Sequence, residues 1–426
     1  MRFAEAIADL EGRQPERMIP DLDRIRALTD LLDHPELTYR TIHVTGTNGK
    51  TTTARLAARI MCAQGVSAGL YTSPHLVSVT ERLALCDAPI SEQEFAETYA
   101  HLLPYLEEID GRDERVTYFE TLTALAYLWF ADKPVDVGVF EVGMGGTWDA
   151  TNLIRSEVAV LCRVGLDHPE LGSRVEEVAT EKAGIIKPGS LTLVAEQPPE
   201  ALAVIESRAA EVGAGVRLEG RDFVLGDRRV AVGGQVLAVR GLHGRYEDLF
   251  LPLHGRHQGH NAAIAIAACE AVLDRPLTGA ALRTALAEAS SPGRLEVVGR
   301  RPLIVFDGAH NPDGAAAVAE ALGEEFVWQR LHLVIGVLET KDVDGIVQEL
   351  APRVDVAYAC GNSHSKSLTS ERVAAACEKN GLPVRTFDSV GLALSAAETA
   401  ASEGDLIIVT GSLYTVADVR PKYAKD

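Results

Sequence analysis

Ile42-His43-Val44-Thr45-Gly46-Thr47-Asn48-Gly49-Lys50-Thr51-Thr52-Thr53 is the stretch on which the reading of this chain turns. Its β-branched run, glycine-containing turn and following Lys-Thr-Thr-Thr predict a strand that passes through a tight loop into a helix, the setting of a phosphate-binding loop. Backbone N–H groups at a helix start offer partial positive charge to an anion, and glycine lets that backbone come close. Lys50 adds a mobile cation for terminal phosphates, and the Thr51 hydroxyl suits Mg²⁺. The usual spacing puts a glycine five residues before Gly49, where this chain has Val44; the nearer glycine is Gly46. A strand-turn-helix corner that merely contains Gly-Lys-Thr is the plain alternative. Taken alone, the loop says nucleotide phosphate and nothing more.

Outward from the loop, residues 40–45, 67–72, 135–142 and 157–164 read as strands, with Ala/Leu-rich helical stretches between most of them. That alternation predicts an α/β fold with a mostly parallel sheet. Residues 216–253 break the rhythm with Gly-, Arg- and Val-rich alternation and predict a small antiparallel appendage. Helices are expected over about 258–272 and 278–289, and Ser290-Ser291-Pro292-Gly293 then forms a breaker cluster. The boundary is drawn there, giving units 1–293 and 294–426. Strands near 302, 331, 354, 383 and 405 make the second unit a smaller α/β domain.

With 426 residues the chain exceeds the roughly 250–300 at which one core stops growing, in keeping with two domains. Apolar residues are 46% and charged residues 24%, an ordinary globular composition. The net charge of -20 argues against nucleic acid or anionic membrane as partner, since both need clustered Lys and Arg. Cys62, Cys86, Cys162, Cys269, Cys360 and Cys377 are scattered, which suggests neither a zinc module nor a disulfide framework and fits a reducing cytosol. The start carries Glu5 and Asp9, and no run approaches the roughly 18 apolar residues of a membrane span, so secretion and anchoring are not expected.

Three further segments carry chemistry. Glu141 ends an almost continuously apolar strand just before a Gly-rich turn; strand ends are where α/β sheets bind ligands, so it is a candidate for Mg²⁺, against a solvated loop acid. Asp167 and His168 end the next strand at the same rim, where a lone histidine is more often structural. Glu181 and Lys182 lie near the end of an amphipathic helix closed by Lys187-Pro188-Gly189. Both lysines are solvated by default; a lysine beside metal can instead add CO₂ and become an anionic carbamate.

TGTNGKTTT (45–53) resembles the ATP loop of the Mur ligase superfamily. In order along the chain follow LYTSPHL (70–76), YFETLTALAY (118–127), GGTWDATN (145–152), HQGHNAAIA (257–265), PGRLEVV (292–298), FDGAHNPDG (306–314) and VTGSLY (409–414), which are similar to signatures of the folylpolyglutamate and dihydrofolate synthases of that superfamily. The resemblance implies a Mur-ligase-like architecture, an N-terminal P-loop ATPase domain followed by a Rossmann-like one. It implies ATP on Thr47, Asn48, Gly49, Lys50, Thr51 and Thr52, with Asn261, Arg294, Asp307 and His310 completing the site. By the same likeness a first Mg²⁺ belongs to Glu141 with Ser73, Thr51 or both, although Ser73 is equally suited to capping a helix. A second belongs to His168 and a carbamylated Lys182, since EKAGIIKPG looks like the stretch whose first lysine is modified; Lys187 is the less favoured. Lys50, Glu141, His168 and Lys182 are the catalytic set. Tyr118, Phe119, Glu120 and Thr121, with Asp149, Ala150 and Thr151, resemble the lining of a pterin site, though Phe119 is equally suited to plain core.

The activity implied is ATP-dependent joining of L-glutamate to a folate, and to dihydropteroate, through an acyl phosphate, by a cytoplasmic monomer. Two departures fall on the substrate side: Thr147 stands where the family usually has arginine, and PELGSR after His168 is one residue short. A Mur-type ligase acting on a UDP-muramoyl substrate is the nearest rival, supported by the threonines after Lys50 and opposed by the YFE and DATN segments. A noncatalytic nucleotide-binding regulator is opposed by intact Thr51, Glu141, His168 and Lys182.

Overall fold

The computed structural model describes residues 1–15, 20–112 and 115–423, so residues 424–426 of the expected second unit lie outside it. In chain order the strands are β1 (Arg40–Thr45), β2 (Ala68–Tyr71), β3 (Leu83–Leu85), β4 (Ala88–Pro89), β5 (Val137–Glu141), β6 (Val158–Leu161), β7 (Leu191–Val194), β8 (Gly215–Leu218), β9 (Val224–Ala231), β10 (Gly234–Arg240), β11 (Arg245–Leu251), β12 (Glu296–Arg300), β13 (Leu303–Phe306), β14 (Leu331–Ile335), β15 (Val356–Cys360), β16 (Val384–Phe387) and β17 (Leu406–Thr410).

The first sheet has the order β4-β3-β2-β5-β1-β6-β7-β8. Neighbours from β2 through β8 run parallel, and only β3 and β4 are antiparallel. Helices cover both faces of its centre, which is why β5 and β6 are buried along their whole length and are apolar except for Glu141 at the end of β5. From β1 the chain crosses to β2 on one side, and from β5 it crosses to β6 on the other. The strand order therefore reverses around β1, and a crevice opens at the carboxyl ends of β5, β1 and β6. The second sheet, β12-β13-β17-β14-β15-β16, is parallel except for its edge strand β12, which the sequence pattern did not separate from the breaker region.

Two expectations are corrected. The antiparallel appendage is the sheet β11-β10-β9 and begins at Val224, because residues 215–218 pair in parallel with β7 as the edge of the main sheet. Cys62 and Cys86 form a disulfide with Cα atoms 5.8 Å apart. They stand 24 residues apart in sequence, and it is the antiparallel return of β3 along β2 that brings the hairpin turn to the end of helix Lys50–Ala63. Among the described residues no helix is long and apolar enough to cross a membrane.

The appendage shares the apolar core of the main body through Leu237, Val239 and Leu251, and one buried acid also ties the two together. Glu270, on helix Arg256–Leu273, is fully buried and accepts from Leu242 N, His243 N and the Tyr246 hydroxyl. Replacing it with leucine would strand the buried Tyr246 hydroxyl and two part-buried backbone donors. Glu270→Leu is expected to lower stability by about 3 kcal/mol or more in urea denaturation; a loss below about 1 kcal/mol would mean the appendage is held by apolar packing alone.

Candidate functional site

A cleft of about 1290 Å³ lies where the carboxyl ends of the two sheets face each other. Its lining includes Thr47, Asn48, Gly49, Lys50, Thr51 and Thr52 from the loop after β1, and Arg294, Asp307 and His310 from the second half. The loop conformation depends on two glycines. Gly46 has φ +150°, and a Cβ there would sit 2.6 Å from the Cys162 Cβ of the neighbouring strand end. Gly49, with φ +91°, is the cap of helix Lys50–Ala63 and lies against the Asn261 side chain, which also receives no room for a Cβ. The first turn of that helix points its free N–H groups into the cleft.

Lys50 Nζ donates to the carbonyls of Gly46 (2.9 Å) and Thr47 (3.2 Å). Thr51 Oγ1 donates to Glu141 Oε1 at 2.7 Å, and Ser73 reaches Glu141 Oε2 through its backbone N–H at 3.1 Å rather than through its hydroxyl. Glu141 is 1% exposed. Burial raises its pKa, partly offset by the Lys50 charge and by these two hydrogen bonds. Lys182 is 3% exposed, and its Nζ donates to the same Gly46 carbonyl at 2.9 Å. Burial first and the neighbouring Lys50 charge second lower its pKa to about 7. Its ammonium thus lies behind the phosphate loop and does not line the cleft.

The opposite wall is tied to this one by polar contacts. Asp167 follows β6, and its carboxylate meets Lys341 Nζ (2.7 Å), His168 Nε2 (3.2 Å) and His310 Nε2 (3.4 Å). Burial alone would raise the Asp167 pKa; hydrogen bonds from His168 and His310 and the charges of His310 and Lys341 outweigh it and hold the carboxyl well below the usual range. Burial and Lys341 lower the pKa of His168, against the pull of Asp167. Asn48 of the loop and Asn311 of the second half exchange two amide hydrogen bonds, at 3.2 and 3.1 Å. Thr52 Oγ1 lies 2.8 Å from Ser291 Oγ in the joint. Asp307 is buried and accepts from Leu295 N and Ala309 N, with its pKa raised by burial against the nearby Arg294 charge.

At the far end of the cleft Phe119, Glu120, Asp149 and Ala150 contribute to the lining. Phe119 also packs on the aromatic cluster, with its ring 6.0 Å from that of Tyr71, so it serves the core as well. Glu120 pairs with Arg24 at 3.1 Å and accepts from Thr117 N and Oγ1, capping helix Tyr118–Asp132. Asp149 accepts from Met144 N and from Thr151 N and Oγ1. Tyr118, Thr121 and Thr151 do not line the cleft. The Tyr118 ring lies under Arg82, Thr121 is fully buried in the core, and the Thr151 hydroxyl is held between Asp149 and His43. Thr147 is exposed and bonded to the Glu181 carbonyl.

Sequence reasoning passed over Asn311 and Lys341. Asn311 adjoins His310 in a segment already singled out, and Lys341 stands in the loop after β14, a strand whose carboxyl end faces the cleft; the strand-end rule would have found both. Among the described residues, no group of three or more His, Cys, Asp or Glu side chains is arranged to hold a metal ion unaided.

Residues 44–269 match the Mur ligase middle domain, and residues 293–413 match the Mur ligase glutamate ligase domain. The chain is 40% identical to the dihydrofolate synthase/folylpolyglutamate synthase of Mycobacterium tuberculosis, over 98% of this chain and 93% of that protein. It superposes on the M. tuberculosis folylpolyglutamate synthase complexed with ADP with a TM-score of 0.96 at 39% identity, covering 100% of this chain and 98% of the other. A solved complex of FPGS with AMPPCP and folate aligns with a TM-score of 0.88 at 33% identity, over the whole of both chains.

The Asp167 cluster makes a pH-dependent prediction. Asp167→Asn leaves Lys341 without its counter-charge and is expected to cost about 3 kcal/mol at pH 7. The folded carboxyl titrates below its unfolded value of about 3.9, so its contribution is complete above that pH and is lost as pH falls through the folded value. The deficit of the variant should therefore shrink when urea denaturation is repeated below about pH 4. A deficit unchanged across that range would remove the carboxylate charge as its source.

Proposed function

This chain belongs to the folylpolyglutamate synthase and dihydrofolate synthase family of the Mur ligase superfamily, and we propose that it joins L-glutamate to a folate, and to dihydropteroate, while cleaving ATP to ADP and phosphate. The observation that carries this reading is the cleft itself: a phosphate loop with buried Glu141 on one wall, Arg294, Asp307 and His310 on the other, and Phe119 and Asp149 at one end.

The reaction starts with a carboxylate attacking a phosphate, two anions that must be brought together. Lys50 and the N–H groups of the first helical turn draw off charge as the γ-phosphate moves to the substrate carboxylate. The glutamate amine then attacks the acyl phosphate, forming the amide and releasing phosphate. Such an intermediate hydrolyses readily, so the cleft has to exclude water during transfer. We take units 1–293 and 294–426 to close about residues 290–294, with the Asn48–Asn311 pair and the Asp167–Lys341–His310 cluster drawing the walls together.

The hydroxyl of Thr51 touching the buried Glu141 carboxylate makes a hard oxygen donor pair beside the phosphate loop, which fits Mg²⁺ with Ser73 close by. When bound there, the ion supplies charge neutralisation for the transferred phosphate. A second Mg²⁺ is assigned to His168 and a carbamate on Lys182; a buried lysine amine of lowered basicity is chemically suited to adding CO₂. The form proposed is a cytoplasmic monomer.

Phosphate release with purified protein, ATP, Mg²⁺ and glutamate tests the reading. Release is expected with dihydropteroate and with a reduced folate, and not with a UDP-muramoyl peptide; no release with any acceptor would sink it. Lys182→Ala is expected to lower turnover about 100-fold or more while calorimetric ADP binding is kept. Near-parental turnover would take Lys182 out of the mechanism.

A further inference from the structure

His43 stands in β1 between two core residues, and no step of the ligase reaction described above uses it. Side chains alternate along a strand, so β1 sends Ile42 and Val44 into the apolar core under helix Lys50–Ala63 and turns His43 and Thr45 to the opposite face. Both of these polar side chains reach the loop that follows β5. Thr45 Oγ1 donates to the Gly145 carbonyl at 2.8 Å, and His43 Nε2 lies 2.8 Å from Thr151 Oγ1. Gly143, Met144, Trp148, Asp149 and Ala150 of that loop line the ligase cleft. His43 and Thr151 are fully buried behind it.

The protons of this corner can be placed by counting donors. Asp149 accepts from Thr151 N (2.9 Å) and Thr151 Oγ1 (2.6 Å) on Oδ1, and from Met144 N (3.0 Å) on Oδ2. Burial raises its pKa, against the hydrogen bonds from Thr151, Met144 and Gly143. Backbone N–H groups can only donate, so they favour the carboxylate over the acid. The single hydroxyl proton of Thr151 then goes to Oδ1, and Thr151 Oγ1 has to accept from His43. Nε2 therefore carries the imidazole proton. Nδ1 is left as a lone pair with no hydrogen-bond partner among the described residues. The other tautomer would bury an unpaired N–H in its place, the rarer kind of orphan. Burial, with the Lys187 charge, lowers the His43 pKa to about 3 and keeps the ring neutral.

We propose that His43 is a positioning residue for the acceptor substrate: its Nε2–H aims the Thr151 hydroxyl at the Asp149 carboxylate and so holds that carboxylate in place in the cleft wall. The role rests on the folate-ligase reading, in which this end of the cleft takes the pteridine, a ring whose amino and ring N–H groups suit a fixed anionic acceptor. Other groups clamp the backbone of the same segment. Tyr127 Oη donates to the Ala150 carbonyl at 2.9 Å, and Lys187 Nζ to the Asn152 carbonyl at 3.1 Å. Only His43 sets the direction of the Thr151 hydroxyl, and a binding group is held to its working geometry by supporting hydrogen bonds of this kind.

Steady-state phosphate release is measured with the full chain, varying dihydropteroate and ATP in turn, for the parent, His43→Leu, His43→Gln, Thr151→Val and Thr151→Ser. His43→Leu and Thr151→Val are expected to raise KM for dihydropteroate about tenfold, as for loss of one hydrogen bond, with KM for ATP within about twofold of the parent. His43→Gln keeps a donor and Thr151→Ser keeps a hydroxyl, and both are expected to recover most of the loss. Thr151 lies off β1, so its two variants keep the test decisive should those at His43 fail to fold. A second readout needs no turnover. Nitrogen NMR of histidine-labelled protein, with the His43 signals identified by their loss in His43→Gln, is expected to show the neutral Nε2–H tautomer; an Nδ1–H tautomer or an imidazolium overturns the proposal. A parent that turns over no acceptor sinks the ligase reading and the role with it. An active parent whose variants keep its KM for dihydropteroate, or lose ATP and acceptor alike, overturns this proposal alone.

Discussion

The carbonyl oxygen of Gly46 holds the reacting end of the cleft together. Two lysines from distant parts of the chain, Lys50 and Lys182, both donate to it at 2.9 Å. Only glycine permits this, because the positive φ turns the chain sharply off β1 and the missing Cβ lets it pass over Cys162. The turn aims the start of helix Lys50–Ala63 into the crevice. The shared carbonyl also places the two amines close together, and burial first, with the Lys50 charge second, depresses the basicity of Lys182, whose amine lies behind the loop.

Around that point the two halves meet through polar groups. The apolar clusters draw their buried residues from one side of residue 293 or the other, with Leu76 packing across. Across the joint run the Asn48–Asn311 amide pair, the Asp167 cluster and, on the rear, Glu325 with Arg228 and His254. Hydrogen-bonded and ionic contacts can be remade in more than one arrangement, whereas a shared apolar core resists sliding. A ligase that must admit three substrates and then exclude water needs an interface of the first kind. The same division bears on why Asp167 is so strongly ionised: it takes a hydrogen bond from His168 on its own side and meets His310 and Lys341 across the joint.

A smaller cavity lies at the other end of the same sheet. Parallel strands collect loops at both rims, and at the amino-end rim Arg40 pairs with Glu157 beside Arg155 and Lys187. One short segment, 149–157, contributes to both rims, so the two are linked through a few residues of backbone.

Much was determined by the order of residues alone. The βα alternation, the phosphate loop and the strand-end positions of Glu141, Asp167, His168, Asp307 and His310 were legible, because apolar strands and glycine turns are local signals and α/β sheets expose their carboxyl ends by topology. Side-chain direction within those segments was decided only by the tertiary structure. Successive residues of a helix point about 100° apart, so Phe119 and Glu120 line the cleft while Tyr118 and Thr121 turn away, although all four read as one motif. The Cys62–Cys86 pairing, the placement of residues 215–218 in the main sheet and the approach of Lys341 to Asp167 likewise arise from segments far apart in sequence. Such contacts exist only once the chain has closed those long loops, and no local pattern of residues encodes them.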